Sequence, residues 1–233
     1  MTIRIALLAI TVSFFSCEVL QQVQGTVLGE PTSAEIASGL KEALTIGISK
    51  GSELLSREDG YYASAYKILL PAEARKVTDK LKVIPGFSNV EEEIVKKLNR
   101  AAEDAAKSAK PIFVNAIKSM TFDDALNILL GQNNAATTYL HDNTYQGLYD
   151  AFQPEIVNSL NHLNALEYWE KAVTAYNKIP FVDKVNPKLD DYVAREALNG
   201  LFDMVEKEEL AIRQDPAKRV SALLKKVFAK QDA

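Results

Sequence analysis

The amino-acid sequence predicts an all-α protein, a compact multi-helix bundle with no sheet. Apolar residues recur every three to four positions along most of the chain, which is the spacing of one face of a helix. Glycine and proline, which disfavour helices, account for only 10 and 8 of the 233 residues. No run of five or more residues alternates between apolar and polar side chains as a half-buried strand does.

Residues 1–16 predict a secretory signal peptide. Arg4 precedes an unbroken apolar run over residues 5–15, and Ser16 follows it. This layout is typical of a signal peptide, and the run is too short for a membrane-spanning helix, which needs about 20 residues. A buried core helix is the alternative, but the run has no polar face to meet water.

Cys17 is the only cysteine and follows this run directly. A small residue immediately before a cysteine is typical of a bacterial lipoprotein signal, in which the thiol receives acyl chains, although the bulky Phe14 and Phe15 depart from that pattern. A single cysteine cannot form an internal disulfide, and no neighbouring basic group would activate a free thiol. We therefore predict lipidation at Cys17, which places the protein in the bacterial cell envelope, periplasmic or at the outer membrane.

Residues 17–31 are interpreted as a lipid-anchored tether, and residues 32–233 as a single all-helical domain. Residues 18–31 have no periodic pattern and would span roughly 45 Å when fully extended. The net charge is −4 with charges of both signs interspersed, which argues against binding to nucleic acid. We expect contact with a membrane through the lipid, and a protein or small ligand as partner.

The first predicted helix begins at a capping box formed by Thr32 and Glu35. Gly47 and Gly51 lie on its inward face. Because glycine costs about 1 kcal/mol relative to alanine inside a helix, we expect another helix to cross closely there.

Residues 57–71 lack a helical pattern but contain several tyrosines and aliphatic residues, so we expect a long ordered connection. A short helix from Pro71 to about Val83 follows. Ser88 and Glu91 then predict the capped start of another helix.

Five further signals organise the rest of the chain. Pro111 predicts a helix start, Thr121 with Asp124 a capped start, and Gly131 a helix end. Prolines at the first helical position predict two more starts, at Asn186-Pro187 and Asp215-Pro216. The remaining predicted helices cover about residues 134–152, 154–161, 162–178, 188–213 (the longest) and 216–230.

Familiar catalytic and cofactor motifs are absent from the sequence, which has no Gly-rich phosphate loop, no G-x-S-x-G elbow and no cysteine cluster. The two histidines, His141 and His162, would form a metal site only if the fold joined them, so we predict no metal and no cofactor. The pair Asp123-Asp124 resembles acid-base residues, but its position in the first turn after Thr121 favours capping.

The helical pattern places a few polar residues on inward faces. Glu208 falls within the apolar stripe of the helix over residues 188–213, and His162 and Glu170 fall on or near the inner face of the preceding helix. Either each of these acids reaches solvent or a basic side chain, or the three residues face a shared polar cavity that binds a small solute. Glu209 lies at the edge of the stripe, where we expect it to pair with Arg213.

Aromatic side chains concentrate in the middle of the chain, at Tyr139, Tyr145, Tyr149, Tyr168, Trp169 and Tyr176. Such residues can line a groove for sugars or peptides. Residues at the boundary of the core are the alternative, which their helical spacing favours.

Two segments resemble a known family. "KPIFVNAIKSMTFDDALNILLGQNNAATTYL" (110–140) and "DDYVAREALNGLFDMVEKEELAIRQDPAKRVSALLKKVF" (190–228) are similar to an uncharacterised family of exported bacterial proteins, domain of unknown function four-one-nine-seven. The similarity runs from about Gly39 to Phe228. It implies an all-helical envelope protein, often with a lipoprotein-type signal, and brings no known activity and no catalytic residues.

Two hypotheses for function follow. The first is a non-enzymatic, membrane-tethered helical envelope protein that binds a protein partner or a small ligand. The second is an envelope hydrolase or transferase that uses Glu170 and Glu208. An enzyme should show a concave pocket where these carboxylates converge, whereas a binding protein should show an exposed apolar or aromatic patch.

Overall fold

The computed structural model describes residues 31–185 and 188–229, and this part of the chain contains helices and no strand. The all-α prediction is therefore confirmed. The predicted signal peptide, Cys17, nearly all of the tether and the Asn186-Pro187 helix start lie outside the described residues. The α-helices are α1 Ser33–Leu55, α2 Ala72–Leu81, α3 Val90–Ala106, α4 Ala109–Ser119, α5 Phe122–Leu130, α6 Ala135–His162, α7 Ala165–Asn177, α8 Asp190–Gln214 and α9 Ala222–Phe228, with a 3-10 turn over Pro216–Lys218.

α8 packs along several of the longer helices. It packs against α1, α3 and α6, while α1 also contacts α4, α5 and α9. α2 and α7 pack against each other and against α3 on one side. The large side chains Trp169, Tyr61, Phe113 and Phe152 are almost fully enclosed in the core that these helices share.

Glycines on α1 allow its close contacts with α8 and α9. A Cβ atom at Gly51 would lie 2.8 Å from Cγ of Met204, and one at Gly47 would lie 3.4 Å from Cβ of Glu208. The predicted close crossing is confirmed, and the order of these pairs makes α1 and α8 antiparallel. Near the start of α1, a Cβ atom at Gly39 would lie 2.7 Å from Cγ2 of Val227 in α9.

Two of the three capping boxes that the sequence predicts are present, at Thr32 and Thr121. The N–H of Glu35 donates to Oγ1 of Thr32 at 3.3 Å, and the N–H of Thr32 donates to Oε2 of Glu35 at 2.7 Å. The N–H of Thr121 likewise donates to Oδ2 of Asp124 at 2.8 Å. Asp124 therefore caps α5, as its position predicts.

The connection between α1 and α2 is ordered and packed, as expected. Tyr61 is fully buried, which raises the pKa of its hydroxyl, and that hydroxyl donates to the carbonyl of Ala197 at 2.7 Å. The N–H of Tyr61 donates to the buried Glu103 at 3.1 Å. Further along, the side-chain amide of Asn99 bonds both the N–H and the carbonyl of Ile68 at 2.8 Å. Side chains of α3 thus replace the missing helical hydrogen bonds of this connection.

The predicted break before Pro154 is wrong, because α6 continues through it from Ala135 to His162. A proline inside a helix removes the hydrogen bond to the carbonyl four residues earlier. Here Pro154 and Asp150, which carries that carbonyl, are both exposed, so water can replace the lost donor. With 28 residues, α6 is also longer than α8, which the sequence analysis expected to be the longest helix.

Two helix starts differ from their predictions. α3 begins at Val90 with Asn89 at the cap position, so Ser88 and Glu91 do not form the expected box. α4 begins at Ala109, which places Pro111 in its first turn, where a proline is tolerated because the N–H groups there need no helical partner.

Candidate functional site

The three polar residues singled out in the sequence lie on different helices. His162 ends α6 and Glu170 lies on α7, and both are exposed. Glu208 accepts two hydrogen bonds from Nζ of Lys50 on α1, at 2.8 and 2.9 Å. Within the described ranges, no hydrogen bond or ion pair joins any two of the three. This geometry fits the interpretation in which each acid reaches solvent or a basic side chain, and a cavity shared by the three residues stays a prediction.

The buried carboxylate of α8 is Glu209, the neighbour of Glu208. One oxygen accepts the N–H of Ala136 at 2.9 Å, and the other accepts the N–H and the hydroxyl of Thr137, both at 2.8 Å. These N–H groups belong to the first turn of α6, which has no side-chain cap of its own from Asn134. A carboxylate from another helix therefore satisfies the start of α6 and opposes its positive end.

Arg213 forms the expected pair with Glu209. Its Nε and Nη2 atoms donate to Oε1 of Glu209 at 3.0 and 2.8 Å, and each of the two side chains is 4% exposed. The same guanidinium donates to the carbonyls of Ile128 and Leu129 at 2.7 and 3.2 Å, at the end of α5. The pair thus holds the end of α5 and the start of α6 on the last turns of α8.

A third buried charge lies next to this pair. Arg219, which is 1% exposed, donates to the carbonyls of Ile212 and Arg213 at 3.1 and 2.8 Å. Its guanidinium also lies 5.7 Å from the centre of the Phe228 ring. A cation at the negative end of α8 is favourable, so Arg219 closes this helix and fixes α9 against it.

Beside these charges lies a groove with a volume of about 880 Å³, which we call the Leu130 groove. Leu130 is 73% exposed, although it is a large apolar side chain. Asn133 and Gln214 contribute uncharged amides. Arg213, the one charged residue among the described lining residues, is held by Glu209 and two carbonyls. The full lining is Pro31, Ile36, Leu126, Leu129, Leu130, Gly131, Asn133, Arg213, Gln214, Pro216 and Val227.

The sequence analysis did not identify Glu103, Arg219 or the Leu130 groove. Glu103 lies among the alanines of α3, four residues after Asn99, so two polar residues on an otherwise buried face were a usable signal. Arg219 lies between two short helical segments, where no periodicity applies. The groove combines residues from α1, α5, α8 and α9, which are distant in sequence.

The aromatic residues of the middle of the chain belong to the core or to its boundary, the interpretation that their helical spacing favours. Trp169 and Tyr176 are buried, and Tyr139, Tyr145, Tyr149 and Tyr168 pack partly buried against the core. No helix in residues 31–185 and 188–229 is long and apolar enough to cross a membrane. The same residues hold no group of three or more His, Cys, Asp or Glu side chains that could bind a metal ion.

A family model described as "Protein of unknown function (DUF4197)" matches residues 30–229. This match confirms the resemblance inferred from residues 110–140 and 190–228. No curated protein and no solved structure matches the chain.

Proposed function

The chain belongs to the DUF4197 family of proteins of unknown function, and on that premise we propose that it is a non-enzymatic lipid-binding protein of the bacterial cell envelope. In this proposal Cys17 carries the lipid that tethers the protein to a membrane. The Leu130 groove holds the apolar chain of a lipid-like ligand.

The Leu130 groove is the observation that carries this proposal. Its volume of about 880 Å³ lies within the range of about 300–1,000 Å³ that is usual for small-molecule sites. Most of its lining residues are apolar, and a concave site with apolar walls and a few polar groups is the usual form of a small-molecule site. The exposed side chain of Leu130 extends this apolar surface. Each methylene group that a ligand buries there would contribute about 0.8 kcal/mol.

The charges near the groove favour an apolar ligand over an ionic one. Arg213 already bonds Glu209 and the carbonyls of α5, so attracting an anion would weaken contacts that hold three helices together. Asn133 and Gln214 offer neutral amides, which suit an uncharged polar head group. An amphiphile with an apolar chain therefore matches the lining.

The position of the groove supports a membrane lipid as the source of the ligand. Pro31, the first described residue, borders the groove, so the predicted tether joins the domain at this point. A tether of residues 17–30 would keep the groove within roughly 45 Å of the membrane surface.

The alternative, a hydrolase or transferase that uses Glu170 and Glu208, lacks this kind of support. Glu208 lies against α1 and bonds Lys50, whereas α7, which carries Glu170, packs against α2, α3 and α6. Neither carboxylate lines the Leu130 groove, so the observation that supports lipid binding does not extend to this alternative.

Binding can be tested with a fluorescent monoacylglycerol, which has an apolar chain and an uncharged head group, added to the purified full-length protein. We expect the wild type to bind it and Leu130→Asp to bind about tenfold more weakly, because a charge replaces an apolar contact. Val83→Asp is the matched control, since Val83 is 85% exposed and does not line the groove. Equal affinity in wild type and Leu130→Asp would contradict a lipid site in the groove.

The tether can be tested separately with Cys17→Ser. We expect the wild type to be recovered with the membrane fraction and to begin at an acylated Cys17, and the variant to lose both properties. A mature wild-type protein that starts at another residue without acyl chains would rule out the anchor, and would leave the lipid-binding test unaffected.

A further inference from the structure

A second cavity lies at the opposite end of α8 from the Leu130 groove. It has a volume of about 490 Å³, and we call it the Tyr176 cavity. It is formed by the start of α2, the end of α7 and the start of α8, with Pro71, Lys76, Tyr176, Lys184 and Tyr192 among its lining residues. The 25 residues of α8 separate the two sites by about 37 Å at 1.5 Å per residue.

The start of α2 presents unused hydrogen-bond donors to this cavity. Pro71 occupies the cap position and provides no side-chain cap. Among the described residues, the N–H groups of Ala72, Glu73 and Ala74 have no hydrogen-bond partner. Free N–H groups at the positive end of a helix favour an anion.

Tyr176 gives independent evidence for a ligand. This residue is only 5% exposed and borders the cavity, yet its hydroxyl bonds no other residue in the described part of the chain. Among the described residues, the enclosed side-chain polar atom without a partner is Nε1 of Trp169. The Tyr176 hydroxyl therefore keeps accessible surface at the cavity and is open to a group inside it. Tyr192 differs, because its hydroxyl already donates to the carbonyl of Leu69 at 2.9 Å. Tyr192 can therefore offer a ligand only the apolar surface of its ring.

The charged side chains around the cavity carry a small positive excess. Lys76, Lys184 and Lys188 line it together with two carboxylates, Glu73 and Asp183. Lys76 and Lys184 form no ion pair with any described residue, so their ammonium groups are available. Val185 and Leu189 add apolar surface.

We propose that the Tyr176 cavity binds a small organic anion, a carboxylate or a phosphate ester with an aromatic or apolar body. The anionic group accepts hydrogen bonds from the first turn of α2 and from the Tyr176 hydroxyl. Lys76 and Lys184 add attraction, and the body of the ligand packs against Tyr192 and Val185. This site is independent of the lipid-binding function proposed above.

Titration calorimetry on the full-length protein tests this site with three probes that share one ring. Phenyl phosphate and benzoate represent the two anion classes, and phenol has the same ring without the charge. We expect at least one anion to bind, at least tenfold more tightly than phenol, and to bind more weakly as salt is added. The stronger of the two anions identifies the class of ligand.

Two substitutions remove single donors from the site. Tyr176→Phe deletes only the hydroxyl, and we expect it to weaken binding of the anion about fivefold. Ala72→Pro deletes one N–H at the first helical position, where proline preserves the helix, and we expect a loss of similar size. Lys80→Gln is the control, because Lys80 is exposed on α2 and does not line the cavity.

Three results would overturn the proposal: no binding of either anion at millimolar concentration, phenol binding as tightly as the anions, or wild-type affinity in both Tyr176→Phe and Ala72→Pro. Circular dichroism of each variant checks that the helices are intact. A variant that loses helix content is replaced by Lys184→Gln, which is exposed and for which we expect about threefold weaker binding.

Discussion

Glu209 and Arg213, one turn apart on α8, form an ion pair at 2.8 Å with each side chain 4% exposed. Glu209 bonds the first turn of α6, and Arg213 bonds the last carbonyls of α5. One pair of opposite charges therefore connects three helices. Both side chains already bond the ends of neighbouring helices, so the pair acts as a structural element of the fold.

Glu209→Gln should destabilise the protein strongly. The change leaves the buried Arg213 without its counter-charge, and we expect the free energy of unfolding to fall by about 3–5 kcal/mol. Urea denaturation measures this value. The control is Glu208→Gln, which breaks the pair with the half-exposed Lys50 and should cost less than about 1 kcal/mol. A Glu209→Gln cost as small as that would show that the pair is not structural.

Gly39→Ala and Gly147→Ala should have effects of opposite sign. Alanine gains about 1 kcal/mol in helix propensity at either position. At Gly39 the new Cβ would lie 2.7 Å from the stiff Val227 side chain, and this overpacking makes the net effect a loss of about 1 kcal/mol. At Gly147 the new Cβ would meet only Cγ2 of Ile112, at a comfortable 3.9 Å, so a gain of about 1 kcal/mol remains. Thermal unfolding of both variants checks the signs, and a stabilising Gly39→Ala would contradict the close α1–α9 contact.

Phe181→Gly should stabilise the protein. Phe181 has a φ of 63° and an exposed side chain at 106% of the reference area. The left-handed conformation costs a residue with a Cβ about 1–2 kcal/mol. Glycine avoids this cost, but part of the gain is offset because glycine gives the unfolded chain more conformational freedom. We expect a net gain of about 0.5–1 kcal/mol in urea denaturation. Phe181→Ala keeps the Cβ and should change little, so equal gains in both variants would argue against backbone strain.

Glu35 should make stability depend on pH in the acid range. Hydrogen bonds from Lys226 and Thr32 lower the pKa of its carboxyl from 4.5 to about 2. Because the folded state holds this group ionised, its contribution is present above about pH 4.5 and is lost as the pH falls toward 2. Thermal midpoints should place Glu35→Gln below wild type at pH 7, and the two curves should converge near pH 2. A constant difference across this range would show that ionisation of Glu35 is not responsible.

The sequence was informative where the physical signal is local. The capping boxes at Thr32 and Thr121 each need only residues three positions apart. The effect of Pro154 was not local, since its cost depends on whether the carbonyl of Asp150 faces water. That orientation is set by how α6 packs, so the residue types alone could not distinguish a broken helix from a continuous one.

The functional residues were less predictable for a related reason. A single apolar stripe on α8 selected Glu208 and placed Glu209 at the edge, yet α8 contacts both α1 and α6. Because α8 is covered on two sides, a larger part of its surface is buried than one apolar stripe predicts, and that part includes Glu209 and Arg213. The Leu130 groove and the Tyr176 cavity form where helix ends from distant parts of the chain meet, and no pattern within one helix reports such a meeting.

The contacts of α1 with α8 and α9 also determine when, during synthesis, the domain can complete its core. Met204 and Val227 complete the inner face of α1. A ribosome adds these residues on the order of ten seconds or more after α1, at about 5–20 residues per second. Until then α1 can pack only against helices made earlier, such as α4 and α5. The domain therefore completes its core only after α8 and α9 have been synthesised.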